Sequence, residues 1–349
     1  MTEQRVRWGL LGTARINERL IASIRSSARS ELVAVASRTS LKADAYAEFW
    51  NIPAAHGSYE GLLADPDVDA IYISLPNGLH EEWSIRCAEA GKHVLCEKPL
   101  ALTVEEVDRM TEAADRCGVI IQEAVMYRFH HQTFSIQQMI ASGVIGKVRM
   151  MRAAFSYILT NKNDVRFDPD MGGGSLWDLG SYPVSFFRTM LGANPVEVSG
   201  WQHTTDRGVD LTFMGQMRFP NGEFAQFGCS FEASPHTEVE LLGTEGRINL
   251  TLPWRNRPGE TGLVHVTREG ADSKGSTFGD NVADFVTETL VYDDTPYDSY
   301  QAEVVSMEAS ILDGAPPIVP LQDSRGTVEA VVALYESARI NRPVSIPSS

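Results

Sequence analysis

Lys98 is the residue whose setting in this sequence points most directly to chemistry. It follows the run Val94-Leu95-Cys96-Glu97 and precedes Pro99, which has no N–H for a ladder and keeps the residue before it extended or in a turn. The apolar part of that run reads as a buried parallel strand, and open α/β sheets bind ligands beyond the carboxyl ends of their strands. A lysine there can exchange a proton with a reacting hydroxyl or carbonyl. The same residues also fit a solvated cation at a strand end, so the context has to decide.

A second constellation could hold phosphate. Val6 to Leu11 is a short apolar run, Gly12-Thr13-Ala14-Arg15-Ile16-Asn17 is a tight turn, and residues 16–26 carry apolar side chains at helical spacing. Strand, turn and helix in that order set backbone N–H groups and a helix N-terminus against a pyrophosphate. Only the first glycine of G-x-G-x-x-G is kept, with Ala14 and Asn17 in the other two places, so a plain strand-to-helix turn is an equal alternative. Arg15 adds a cation that suits a diphosphate.

Residues 31–37 form the next buried run, ending in Ser37-Arg38-Thr39-Ser40-Leu41-Lys42. No acid stands there to accept from a ribose 2′-hydroxyl, whereas Ser37, Arg38 and Lys42 offer a hydroxyl and two cations to a 2′-phosphate. The reading is therefore NADP(H), with NAD possible; solvated charges at a helix start are the alternative.

The elements that must position these residues alternate regularly. A helix over 40–50, a turn at Asn51-Ile52-Pro53 and a short helix near 59–64 lead to a third strand, Asp69 to Ser74. A helix over 80–90 and the strand into Lys98 follow. Thr103-x-x-Glu106 then has the form of a capping box, and Val119 to Ala124 is a fifth strand. Such alternation implies right-handed crossovers and a parallel sheet. Residues 1–125 are predicted to be a doubly wound Rossmann domain.

In the second half, residues 131–142 have helical periodicity and Lys147 to Leu159 reads as a long strand. A polar loop over 161–169 and Gly172-Gly173-Gly174 lead to a helix over 175–191, on which Asp178 and Tyr182 share one face. The three glycines read as a flexible approach to that helix in preference to an anion nest. Val196 to Leu252 is strand after strand, with Pro220-Asn221-Gly222 as a hairpin turn. Residues 253–279 read as polar loops around one short strand, Leu263 to Thr267, and helices are expected at about 281–291, 299–313 and 323–340. This gives a C-terminal domain, 126–349, for substrate binding and oligomerisation.

The bulk properties narrow the partners. At 349 residues and 43% hydrophobic composition, two domains are the natural division. A net charge of −16, from 30 basic and 46 acidic residues, opposes nucleic acid and anionic membrane and favours a small neutral substrate. Cys87, Cys96, Cys117 and Cys229 form no C-x-x-C pair and read as reduced thiols. With no signal-peptide pattern and no long apolar stretch, the expected location is the cytoplasm. No metal constellation is found: His130-His131 lacks partners at ligand spacing, and H-E-x-x-H is absent.

Taken together, Ile73-Ser74-Leu75-Pro76-Asn77 with His80, Glu97-Lys98-Pro99, Glu123 to Phe129, and Gly172 to Tyr182 resemble the Gfo/Idh/MocA oxidoreductases, over nearly the whole chain. The resemblance implies an N-terminal Rossmann domain, a C-terminal α/β domain with an open, largely antiparallel sheet, and an active site between them. It implies that Lys98 acts in proton transfer before a cis peptide bond to Pro99. Ser74, Leu75, Pro76, Asn77 and His80, with Glu97 and Lys98, are then expected at the cofactor. Tyr127, Arg128, Asp178 and Tyr182 are expected at the substrate, and Tyr297, Tyr300 and Gln301 near either. Many members carry His where Tyr182 stands. The Asp-x-x-x-Tyr pattern resembles the branch with glucose-fructose oxidoreductase, aldose dehydrogenases such as xylose dehydrogenase, and dimeric dihydrodiol dehydrogenase. The expectation is an NADP(H)-dependent aldose 1-dehydrogenase acting as a homodimer or homotetramer. A dihydrodiol dehydrogenase and a keto-sugar reductase of the anhydrofructose type are alternatives, as is a non-catalytic dinucleotide sensor.

Overall fold

The computed structural model describes residues 4–254, 259–269, 285–294 and 296–347. They fall into two compact units. One comprises Met1–Phe129, Val165–Gly173 and Ser299–Glu329, the other His130–Asp164, Gly174–Asp298 and Ala330–Ser349.

The first unit is built outward from β1 (Val6–Leu11), in which every residue but Arg7 is buried. The chain continues through α1 (Asn17–Ser26), β2 (Ser30–Ala36), α2 (Ser40–Trp50), β3 (Ala54–His56), α3 (Tyr59–Leu63) and β4 (Ala70–Ile73). It then forms α4 (His80–Glu89), β5 (His93–Glu97), α5 (Val104–Cys117) and β6 (Ile121–Ala124). The strands make one parallel sheet in the order β3-β2-β1-β4-β5-β6. The chain winds away from β1 on one side and resumes at β4 on the other, so the switch point lies between those two strands. Six strands stand where five are predicted. The extra one, β3, has three half-buried residues at the sheet edge, too few for alternation to register. Thr103 and Glu106 form the predicted capping box at the start of α5.

The second unit opens with α6 (His131–Ala141) and β7 (Val148–Ser156) and continues with α7 (Ser181–Leu191). Seven strands follow: β8 (Glu197–Thr204), β9 (Asp210–Arg218), β10 (Phe224–Ser230), β11 (His236–Gly243), β12 (Gly246–Leu250), β13 (Gly262–Glu269) and β14 (Phe285–Tyr292). α8 (Ser299–Asp313) returns to the first unit, where Val304 and Met307 join Trp8, Leu20, Ile24 and Tyr72 in its core. α9 (Leu321–Ile340) and the short β15 (Val344–Ser345) end the chain. The sheet order is β14-β13-β12-β11-β7-β10-β9-β8-β15, with β7 and β10 parallel and the other pairs antiparallel.

The helix expected at about 281–291 is corrected: residues 285–291 belong to β14, paired antiparallel with β13. Phe-Val-Thr-Glu-Thr-Leu-Val-Tyr is dominated by β-branched and aromatic residues, which suit a pleated surface better than a helix. Residues 281–284, like 255–258 and 270–279 of the expected loops, lie outside the described residues. All four cysteines are free thiols. Among the described residues no helix is long and apolar enough to cross a membrane.

Candidate active site

In the first unit Lys98 stands at the carboxyl end of β5, as expected, and the Lys98–Pro99 peptide is cis. Buried and half-buried polar groups hold this turn at each step. Lys98 N donates to Glu97 Oε2 at 3.2 Å, and the phenol of Tyr72 donates to Glu97 Oε1. Leu100 N donates to Glu123 Oε1 at 2.9 Å, and Ser324 Oγ donates to Glu123 Oε2 at 2.7 Å. Burial pushes the Glu123 carboxyl up, against the pull of Ser324 and the Leu100 amide. His80 is fully buried, with Nδ1 2.8 Å from Pro99 O and Nε2 2.9 Å from Leu75 O. Its contribution therefore runs through the backbone it ties together. Tyr72 is a buried polar group in an otherwise apolar strand, and Glu123 follows the equally buried Gln122 in β6; those polar interruptions are their only signal in the sequence.

Gly12 to Asn17 and Ser74, expected at the cofactor, lie at the ends of β1 and β4, beside the switch point. Gly12 has φ +108, and a Cβ there would lie 3.1 Å from Leu75 Cδ2 and 3.3 Å from Ser74 Oγ. Ser74 N donates to Leu11 O at 3.3 Å, while Ser74 Oγ is buried with no hydrogen-bond partner among the described residues. Asn17, in the place of the third glycine, is wholly buried and donates from Nδ2 to Gly12 O at 2.9 Å, so it fastens the turn that a glycine would only have made room for. Thr13, Ala14 and Ile16 are partly exposed and Arg15 is exposed, at the positive end of α1. An orphaned buried hydroxyl beside a glycine cradle and a helix N-terminus fits a dinucleotide diphosphate. At the end of β2, Ser37 is buried while Arg38 and Lys42 are exposed, and Thr39 caps α2. Pro76 and Asn77 lead into α4, and Asn77 Nδ2 donates to Gly172 O at 3.0 Å.

Tyr127 and Arg128 lie on a 3-10 turn after β6, 2% and 9% exposed, and Arg128 pairs with Asp323 of α9 at 2.5 Å. Tyr300 is on the first turn of α8, and Tyr297 is 40% exposed.

In the second unit the stretch predicted as one helix starts with a π-helical turn, Leu176–Gly180, that runs into α7. Asp178 lies on that turn, 9% exposed, and its Oδ2 accepts from the phenol of Tyr157 at 3.0 Å. The ring of Tyr182 packs edge-on against Phe155 at 5.4 Å and near Trp254 at 5.8 Å. Phe155 and Tyr157 are two residues apart on β7 and its extension, so Asp178 and Tyr182 are set against the same end of that strand. The triple glycine is no flexible approach. A Cβ would fall 2.5 Å from Leu102 Cδ2 at Gly172, 2.6 Å from Arg166 O at Gly173 and 2.0 Å from Asp210 Oδ1 at Gly174. Tyr157 has no signal beyond its place at a strand end. Among the described residues, no three His, Cys, Asp or Glu side chains are grouped so as to hold a metal ion.

The doubly wound sheet and the cradle at its switch point define a dinucleotide-binding α/β protein. The family model for the oxidoreductase family with an NAD-binding Rossmann fold matches residues 6–125, and that for the GFO/IDH/MocA C-terminal domain matches residues 134–249. The chain belongs to this family and is an NAD(P)-binding oxidoreductase. It is 34% identical over 340 residues to D-xylose 1-dehydrogenase (NADP(+)) 2 of Haloferax volcanii, covering 97% of this chain and 99% of that one. It is 34% identical over 251 residues to trans-1,2-dihydrobenzene-1,2-diol dehydrogenase of Bos taurus, 71% of this chain and 75% of that one. Among solved structures, a 3-ketoreductase from Actinomadura kijaniata in complex with NADP and TDP-benzene superposes with a TM-score of 0.85 at 28% identity, covering 96% and 98% of the two chains.

Proposed function

We propose that the protein is an NADP(H)-dependent dehydrogenase of a sugar-like substrate, with an aldose oxidised at C1 as the first choice. The observation that carries the reading is the fixed placement of Lys98 at the end of β5, through Glu97, Glu123 and His80. Oxidation of CH–OH to C=O releases a hydride and a proton, and bound NADP+ supplies the hydride acceptor. Lys98 and Tyr182 are the proposed carriers of the proton. Asp178, held by Tyr157, accepts from and orients the substrate hydroxyl, and Tyr127 and Arg128 line the substrate side. Gly12, Thr13, Ala14, Arg15 and Ile16 hold the diphosphate. Ser37, Arg38 and Lys42 hold the 2′-phosphate, and the segment from Ser74 to His80, with Glu97, supports the nicotinamide end.

The similarity to a xylose dehydrogenase along nearly the whole chain favours an aldose; the dihydrodiol dehydrogenase of Bos taurus favours the runner-up. A panel of pentoses, hexoses, keto-sugars and dihydrodiols, followed by NADPH absorbance, tests the reading. Turnover confined to aldoses is the expected result. Turnover of dihydrodiols or keto-sugars alone would move the substrate, and silence across the panel with NADPH still bound would overturn the reading.

The same proposal includes residues 1–125 as the cofactor domain, residues 126–349 as the substrate and association domain, a cytoplasmic location, and a homodimer or homotetramer. Trp201, Met214, Phe224 and Met150 are exposed on one face of the second sheet, with Trp201 opposite Met214 and Phe224 opposite Met150. Two apolar pairs on one exposed sheet face, with Gln216 and Gln226 between them, suit a second copy of the chain. A stable monomer in sedimentation would remove that part.

A further inference from the structure

We infer that Asp210 is a positioning residue, a cap supplied from β9 that fixes the start of the helical segment carrying Asp178 and Tyr182. The inference rests on the proposed function for those two side chains. Asp210 is 1% exposed and takes three hydrogen bonds within the second unit. Its Oδ2 accepts from Ser175 Oγ at 2.6 Å and Leu176 N at 2.7 Å, and its Oδ1 from the phenol of Tyr335 at 2.7 Å.

Leu176 opens the π-helical turn, and its N–H is one of the donors that a helix start leaves without an internal partner. The residue at the cap position, Ser175, is itself in helical conformation and makes no side-chain cap hydrogen bond to the turn. The carboxylate that does this work is 34 residues away in sequence. Gly174 shows how closely the chain is pressed onto it: φ is +129, and a Cβ would lie 2.0 Å from Asp210 Oδ1 and 2.8 Å from the Tyr335 hydroxyl. From there one hydrogen bond reaches the functional residue, Asp178 N donating to Gly174 O at 3.1 Å.

Burial pushes the Asp210 carboxyl up, and its three donors pull it back. The Tyr335 phenol is pushed well above its ordinary range by burial and by the carboxylate beside it. Three donors converging on two oxygens call for the ionised carboxylate. An asparagine can keep the essential part of this, with its oxygen facing Leu176 and Ser175 and its amide donating to the Tyr335 oxygen. Alanine keeps none of it.

The test compares wild type, Asp210→Ala, Asp210→Asn and Ser175→Ala. The readouts are steady-state kinetics with D-xylose and NADP+, NADPH affinity by fluorescence, and hydrogen exchange of residues 175–182. Misplacing a reacting group by about 1 Å costs about 10²-fold. Asp210→Ala is expected to lose about that in kcat/KM, with unchanged NADPH affinity and faster exchange of 175–182. Asp210→Asn recovers most of the loss, and Ser175→Ala falls between. A folded Asp210→Ala with wild-type kcat and KM overturns the inference. If Asp210→Ala does not fold, Ser175→Ala and Asp210→Asn decide: wild-type exchange at 175–182 in Ser175→Ala overturns it. A wild type silent on D-xylose counts against the proposed substrate alone. Exchange then decides the cap, with unchanged protection in the variants overturning it.

Discussion

The phenol of Tyr157 donates a hydrogen bond to Asp178 Oδ2 at 3.0 Å, which favours one orientation of that carboxylate. A hydrogen bond to a charged group contributes about 1.5 to 3 kcal/mol, so Tyr157→Phe is expected to lower kcat/KM by roughly tenfold or more. NADPH affinity should not change. Unchanged kinetics in this variant would detach Asp178 from substrate orientation.

Gly91 and Gly174 both have positive φ, +73 and +129, but only Gly91 lies near the left-handed well open to alanine, and only at Gly174 would a Cβ collide with a neighbour. Gly91 has φ +73, and among the described residues nothing lies within 4 Å of where a Cβ would go. Its replacement by alanine should cost only the left-handed conformation, about 1 to 2 kcal/mol. Gly174→Ala adds the collision with Asp210 and should cost about 3 kcal/mol or more. Urea unfolding of the two variants measures this; equal losses would mean that Asp210 moves aside freely.

Cofactor preference is expected to depend on Arg38. A lost charge-assisted contact to phosphate is worth about 1.5 to 3 kcal/mol, so Arg38→Ala should raise KM for NADP+ by roughly ten- to a hundredfold and leave NAD+ nearly unchanged. Equal losses for the two cofactors would place the 2′-phosphate elsewhere.

His130 gives a pH dependence with a definite sign. Its Nδ1 accepts from Gln132 N at 3.3 Å, capping α6, which requires that nitrogen to be unprotonated. Burial, aided by the neighbouring His131, lowers its pKa to about 4, against the opposing pull of Asp293 and Asp294. As pH falls through the ordinary histidine value near 6.5, the unfolded chain takes up the proton first. The stability is therefore complete above that value and is lost progressively toward about pH 4. His130→Asn, which can still cap, should show a smaller drop in urea midpoint between pH 7 and pH 5 than wild type. His80, His93 and His131 are lowered too, so the difference between the proteins isolates His130. Parallel profiles would contradict the assignment.

Much of the first unit is legible in the sequence because buried strands there are uninterrupted apolar runs and the capping box at Thr103 is local. The missing third glycine is deceptive only until Asn17 is seen fastening Gly12 through its side chain. Contacts that close over long sequence distances leave no such trace. Asp210 caps a turn 34 residues earlier, and Ser324 steadies Glu123 from 201 residues away. Local patterns also fail where a strand is very short, as in β3, or where an apolar stripe fits two periods, as in β14. The three glycines, expected as a flexible approach to the helix, are close-packed instead: a Cβ would fall 2.0 to 2.6 Å from a neighbouring atom at each of them.

The central claim is that Lys98 moves the substrate proton, and kinetics of Lys98→Met with NADPH binding measured on the same preparation test it most directly. Affinity for NADPH within a few-fold of wild type and turnover lower by about 10²-fold or more, the range for lost acid–base catalysis, are expected. Near-normal turnover in Lys98→Met would contradict it and leave Lys98 a solvated cation at the end of a strand.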